Sequence, residues 1–101
     1  MAAGVVHNNC LYVFGGCRHV SDAEEELLNA AYKLDLSKNP LKWQKLKPLP
    51  TPRRSHFVVA YNDRLYIVGG VSEAKIAVPP TCKIVDIYNP SNDSYETKPL
   101  V

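Results

Sequence analysis

The sequence predicts an all-β chain built from two copies of one four-stranded antiparallel unit. A long internal repeat carries most of that reading. The stretch Val5-Val6-His7-Asn8-Asn9-Cys10-Leu11-Tyr12-Val13-Phe14-Gly15-Gly16 returns without a gap as Val59-Ala60-Tyr61-Asn62-Asp63-Arg64-Leu65-Tyr66-Ile67-Val68-Gly69-Gly70, an offset of 54 residues. The same offset takes Leu34-Asp35 to Tyr88-Asn89, and a short deletion brings Trp43 onto Tyr95 and Pro48-Leu49 onto Pro99-Leu100. Self-similarity on this scale marks a repeat architecture. The second observation is punctuation: turn-forming pairs and double glycines cut the chain into apolar runs of strand length. Residues 1–52 form the first unit, which lacks the start of its first strand, and residues 53–101 form the second.

Each unit reads as four strands. The first runs Ala2 to His7 in one copy and His56 to Tyr61 in the other. It ends in Asn8-Asn9 or Asn62-Asp63, residue types that tolerate left-handed backbone and favour a tight hairpin. The second strand, Leu11 to Phe14 or Leu65 to Val68, is apolar at every position, as expected when both faces are covered. Gly15-Gly16 and Gly69-Gly70 stop it, because glycine accepts positive φ and close backbone approach. The third strand is Ala31 to Leu36 or Lys83 to Tyr88, and a turn then leads to a short outer strand around Trp43 or Tyr95. Between the second and third strands lies a long connection. In the first unit Ser21-Asp22-Ala23-Glu24 resembles a capping box and predicts a helical turn or two over Ser21 to Asn29. The counterpart, Ser72 to Thr81, contains Pro79-Pro80 and has no such pattern.

Composition excludes several classes. The chain has 101 residues, 46% hydrophobic and 22% charged, with net charge +2, which argues against disorder and against a nucleic-acid partner. The lysines at 38, 42, 45 and 47 read as a solvated strand edge. Apolar runs are far shorter than the roughly 20 residues of a membrane span, and the N-terminus has no signal-peptide pattern. Cys10, Cys17 and Cys82 form no CxxC pair, which favours reduced thiols and places the protein in the cytoplasm or nucleus.

The candidate chemistry is sparse. His7, Cys10, Cys17 and His19 have the ligand types for zinc, but strand geometry puts Cys10 and Cys17 roughly 23 Å apart, and zinc needs ligands at about 2.0–2.3 Å. The acidic run Asp22, Glu24, Glu25 and Glu26 lacks the alternating oxygens and central glycine of a calcium loop. His56 has no serine, cysteine or carboxylate at catalytic spacing. Neither a metal, a cofactor nor an enzymatic activity is expected. Asp35 and Asp86 are expected to accept hydrogen bonds near the third strand.

These residues resemble the kelch repeat, whose pattern is a hydrophobic run, a double glycine, and a tyrosine six residues short of a tryptophan. The second unit keeps that spacing with Gly69-Gly70, Tyr88 and an aromatic at Tyr95. The first departs from it, with Leu34 at the tyrosine position and two extra residues before Trp43. Pro50-Thr51-Pro52-Arg53-Arg54-Ser55-His56 is similar to the Pro-x-x-Arg-x-x-His lead into a first kelch strand. The likeness is strongest to the BTB-kelch (kelch-like) adaptors. It implies a β-propeller, usually of six blades, of which this chain supplies two. Two blades alone leave two apolar faces bare, so the resemblance implies either further blades from a longer parent chain or self-association of several copies into a ring.

The resemblance also assigns roles. His56 helps to join strands, and Trp43 and Tyr95 pack between blades. Arginine and serine at the lead-in, here Arg53, Arg54 and Ser55, lie near the channel mouth and grip acidic peptides in adaptor-type propellers. Cys17, Arg18, Val71 and Ser72 border the same face. For Arg53 the alternative is that it ties its blade to the neighbour. The function implied is protein–protein interaction, as part of a substrate-recognition adaptor for a cullin-based ubiquitin ligase that binds an acidic or polar peptide. The alternatives are an actin or cytoskeleton binder and a slice of a propeller enzyme.

Overall fold

The computed structural model describes residues 2–21, 24–71 and 83–99, and among them every regular element is a strand. The first sheet joins β1 (Ala3–His7), β2 (Cys10–Phe14), β5 (Ala31–Asp35) and β6 (Trp43–Lys45) in that order. The second joins β7 (Phe57–Tyr61), β8 (Arg64–Val68), β9 (Ile84–Asn89) and β10 (Ser94–Pro99) in the same way. All neighbours are antiparallel. A separate hairpin, β3 (Cys17–Ser21) with β4 (Glu24–Leu27), rises from the connection between β2 and β5.

Local chemistry explains the shape. His7 pairs with Cys10 and Tyr61 with Arg64, so each first hairpin closes over two residues. Asn8, Asn9, Asn62 and Asp63 all have positive φ, from 48° to 62°, the geometry such short loops require. The expected helix over Ser21 to Asn29 does not form. That stretch contributes β4 and the end of β3, with Cys17 opposite Leu27 and Arg18 opposite Glu26. One or two helical turns would have had to bear a costly nucleus alone. The hairpin instead continues a ladder anchored by Gly15 N–H to Ala30 O and Leu28 N–H to Gly16 O, both 2.8 Å. Asp22, Ala23 and the whole stretch Ser72 to Cys82 lie outside the described residues.

The two sheets stack face to face, with β1 beside β7. Tyr12, Phe14, Ala31, Leu46 and Leu49 of the first unit meet Leu65, Ile67 and Tyr88 of the second. Tyr88 is the centre of an aromatic group, 5.5 Å from Phe14 and 5.0 Å from Tyr95 between ring centroids.

Strand alternation sends Leu11, Val13, Leu34 and Trp43 to the face turned away from the second unit. Their repeat equivalents Leu65, Ile67, Tyr88 and Tyr95 face the first unit. The packing expected of Trp43 and Tyr95 therefore divides. Tyr95 sits in the junction and its hydroxyl donates to Lys47 O at 2.7 Å. Trp43 stays 57% exposed, resting edge-on against Tyr32, because its face is turned away from the second unit. Phe57, Val59 and Tyr61 are likewise exposed on the outer face of the second unit.

Candidate interaction surface at the double-glycine end

The register fixes two ends. Phe14 lies opposite Ala31 and Cys10 opposite Asp35, so the double glycines and the two-residue hairpins occupy opposite ends of each sheet. His7 and Cys10 belong to the hairpin end, whereas Cys17 and His19 lie beyond Gly15-Gly16. Among the described residues no group of three or more His, Cys, Asp and Glu is placed to hold a metal ion.

At the double-glycine end, the segment from Arg53 to His56 runs between the sheets. Its backbone is held by the first unit: Gly16 N–H donates to Arg53 O at 2.8 Å, and Arg53 N–H donates to Leu28 O at 3.3 Å. The Arg53 side chain enters the second. Arg53 Nη2 donates to Asp86 Oδ2 at 2.7 Å, and Nη1 donates to the carbonyls of Ile67, Gly69 and Ile84 at 3.2–3.4 Å. Thr97 Oγ1 donates to the other carboxylate oxygen of Asp86 at 2.6 Å. Both charged side chains are 0% exposed. The structure places Arg53 in the tying role. It does not place Arg53 at the surface: both Nη groups are taken up inside the blade, and Nε is buried with no partner among the described residues.

His56 Nε2 lies 2.7 Å from Phe14 O. A carbonyl only accepts, so Nε2 carries the proton and donates across the junction. Nδ1 is buried with no hydrogen-bond partner among the described residues. Burial lowers the His56 pKa from 6.5, with the nearby Arg53 charge adding to that and the bond to Phe14 opposing it. The glycines make room. A Cβ on Gly70 would stand 2.5 Å from Arg54 O, and one on Gly15 would stand 2.9 Å from His56 Cε1.

Arg54 and Ser55 point elsewhere. Arg54 and Val71 exchange both backbone hydrogen bonds, at 2.9 and 3.1 Å, which pins the lead-in beside Gly69-Gly70. Ser55 is exposed with φ of 56°, and its Oγ accepts from Arg54 Nη1 at 3.3 Å. Arg18 is exposed on β3 and donates to Glu26 Oε2 at 2.5 Å, while Cys17 is half-buried at the root of the hairpin. The Gly16–Arg53 bond brings that root against the lead-in. Ser72, also expected here, lies outside the described residues. The arrangement offers guanidinium and hydroxyl donors suited to carboxylate oxygens.

The residue readings missed Asp93, whose carboxylate accepts from Tyr88 Oη at 2.8 Å and from Lys47 N–H of the other unit at 3.1 Å. Its place in the Asn89 to Asp93 turn was the only hint, and a turn aspartate rarely signals a long-range bond.

Comparison with known proteins is consistent throughout. A family model of the kelch motif matches residues 1–50 and 52–99. Beta-scruin of Limulus polyphemus is 31% identical over 95% of this chain, which covers 11% of that protein. Kelch repeat and BTB domain-containing protein 12 of Homo sapiens is 33% identical over 68% of the chain, and 10% of its own length is covered. Kelch-like protein 25 of Rattus norvegicus is 27% identical over 92% of the chain, with 14% of its own length covered. The chain thus spans a small part of the curated relatives it matches. The solved structure of YjhT superposes with a TM-score of 0.73 over 96% of this chain and 26% of that one, and at 24% identity this shows a likeness of fold.

Proposed function

Because the chain belongs to the kelch-repeat family, we propose that it is a stretch of an adaptor propeller whose double-glycine end receives a protein partner. That it is a kelch-repeat interaction module, built as part of a β-propeller, follows from the family and the fold. The finer reading takes residues 1–52 and 53–101 as two blades of a substrate-recognition adaptor for a cullin-based ubiquitin ligase, acting in the cytoplasm or nucleus. The partner contributes an acidic or polar peptide segment. Arg54 and Ser55 are its principal contacts, and Arg18, Cys17 and Ser72 border them.

One observation carries this reading: two consecutive arginines divide their labour. Arg53 is buried and fixes the lead-in through four acceptors, while half-buried Arg54 and exposed Ser55 stand at the rim on a backbone pinned at both sides. A preorganised donor pair loses little entropy on binding. The test is peptide-array binding with acidic, neutral and basic sequences, followed by Arg54→Ala, Ser55→Ala and Arg18→Ala. Acidic sequences should dominate, and Arg54→Ala should weaken them about tenfold or more. Co-sedimentation with filamentous actin, insensitive to these variants, would favour the cytoskeletal alternative instead.

A further inference from the structure

We propose a second docking surface, for an acidic peptide segment, in a lysine-lined groove at the opposite end of the first unit. The groove is an open recess of about 560 Å³ between the 37–42 turn and strands β5 and β6. Lys33, Lys38 and Lys42 line it, together with Asp35, Trp43 and Gln44. Asp35 lies opposite Cys10, which sets the groove at the hairpin end, a sheet length away from Arg54.

The internal repeat supplies a control. The second unit has a smaller recess of about 150 Å³ over the equivalent strand positions, lined by Arg64, Ile87, Asn89, Ser94, Tyr95 and Glu96. Lys33 corresponds there to Ile87, Asp35 to Asn89, Lys42 to Ser94, Trp43 to Tyr95 and Gln44 to Glu96. The blade scaffold therefore leaves a recess at these strand positions without lysine, and the 37–42 turn adds further lining to it in the first unit. In the first unit three ammonium groups face one carboxylate, and in the second one guanidinium faces one carboxylate.

The single carboxylate of the lysine groove is already occupied. Asp35 Oδ1 accepts from Ser37 N–H at 3.0 Å and from Ser37 Oγ at 2.6 Å, and these bonds, helped by the nearby Lys38 and Lys33 charges, hold its pKa below the ordinary value. Among the described residues none of the three lysines forms an ion pair. Like charges converging on one recess repel each other and raise the local potential for an anion. Lys33 and Gln44 lie on the face turned to the second unit, and the groove is open with that unit in place. Tyr95, packed in the junction, still borders a recess of about 150 Å³, so a blade covering Trp43 would narrow the lysine groove without closing it.

An acidic peptide fits better than a nucleic acid. Among the described residues the recess is lined by no arginine and one aromatic ring, which gives no run of stacking platforms. Trp43 adds an apolar wall for a hydrophobic residue beside the acidic ones.

Trp43 is the chain's sole tryptophan, so its fluorescence reads this groove directly. The full chain is titrated with poly-L-glutamate, with a single-stranded oligonucleotide and poly-L-lysine in parallel. Poly-L-glutamate should change the Trp43 emission, with an affinity that falls as salt rises. Joint Lys33→Glu, Lys38→Glu and Lys42→Glu substitution should lower that affinity about tenfold. Arg54→Ala should leave the Trp43 response intact, which separates failure of this groove from failure of the double-glycine end. Should the triple variant lose its native circular dichroism, Lys42→Glu alone, outside every strand, decides by a twofold or greater loss. Unchanged affinity in a folded variant, or an oligonucleotide bound more tightly than poly-L-glutamate, overturns the proposal.

Discussion

Arg53 and Asp86 form an ion pair of 2.7 Å from which solvent is wholly excluded, between the lead-in to the second unit and its third strand. Asp86 also accepts from Thr97, and Arg53 Nη1 also serves three carbonyls, while Arg53 Nε is buried with no hydrogen-bond partner among the described residues. Removing one charge would leave the other buried alone with the full cost of desolvation.

Arg53→Ala should therefore destabilise the fold by about 3–5 kcal/mol, the usual cost of stranding a buried charge. Arg53→Lys should recover little, since one ammonium cannot reproduce a planar fork that reaches a carboxylate and three carbonyls. Urea unfolding followed by circular dichroism measures both. A lysine variant with wild-type midpoint would refute the argument.

Two adjacent glycines offer a sharper contrast. Gly69 and Gly70 have φ of 73° and 86°, so alanine at either carries a left-handed penalty of about 1 kcal/mol. At Gly69 the nearest atom to a new Cβ is Phe57 Cε1 at 4.0 Å, ordinary contact. At Gly70 it is Arg54 O at 2.5 Å, backbone that cannot swing aside. Gly70→Ala should lose about 1–3 kcal/mol more than Gly69→Ala, and should also displace Arg54 from the rim. Thermal unfolding of the two variants side by side checks the difference.

The junction bond from His56 to Phe14 predicts a pH dependence. Burial keeps the His56 pKa below 6.5 in the folded chain, so the unfolded chain takes up a proton first as pH falls. Stability contributed by neutral His56 is complete above about pH 6.5 and declines as pH drops below that, towards the folded value. His56→Gln should flatten this part of the stability curve. Denaturant midpoints measured from neutral to mildly acidic pH give the slope directly.

What was legible beforehand was whatever depends on repetition. The pairing of Val5 to Gly16 with Val59 to Gly70 showed both hairpins and both glycine stops, because those follow from backbone preferences at known positions. Long-range direction was hidden. The Pro-x-x-Arg-x-x-His lead-in singles out Arg53, but the partner that turns it inward, Asp86, lies far along the sequence. Ser21 to Asn29 misled for a related reason: its capping pattern is local, whereas the Gly16–Leu28 and Gly15–Ala30 bonds that make it a hairpin are not. The lysine groove was likewise visible only as scattered charges until the turn gathered them beside β5 and β6.

The open flanks lead to the last prediction. Leu11, Val13, Tyr32, Leu34 and Trp43 form one bare face, and Phe57, Val59, Tyr61 and Tyr66 form the other. By repeat equivalence the first corresponds to the buried side of the second unit, and the second to the buried side of the first. The two flanks are thus complementary in the same sense as the junction already present, which is the condition for a head-to-tail contact between copies. That contact would lack two of the junction's ties, since Ala2 stands at the position of His56 and Tyr32 at that of Asp86. Weak, concentration-dependent association of this chain is the expected outcome, detectable by sedimentation velocity. Trp43→Ser on one flank, or Phe57→Ser with Tyr61→Ser on the other, should each shift the distribution towards monomer. Combining them should add little, because removing either half of a complementary pair already abolishes it. Additive effects would instead show that each flank associates through a separate contact.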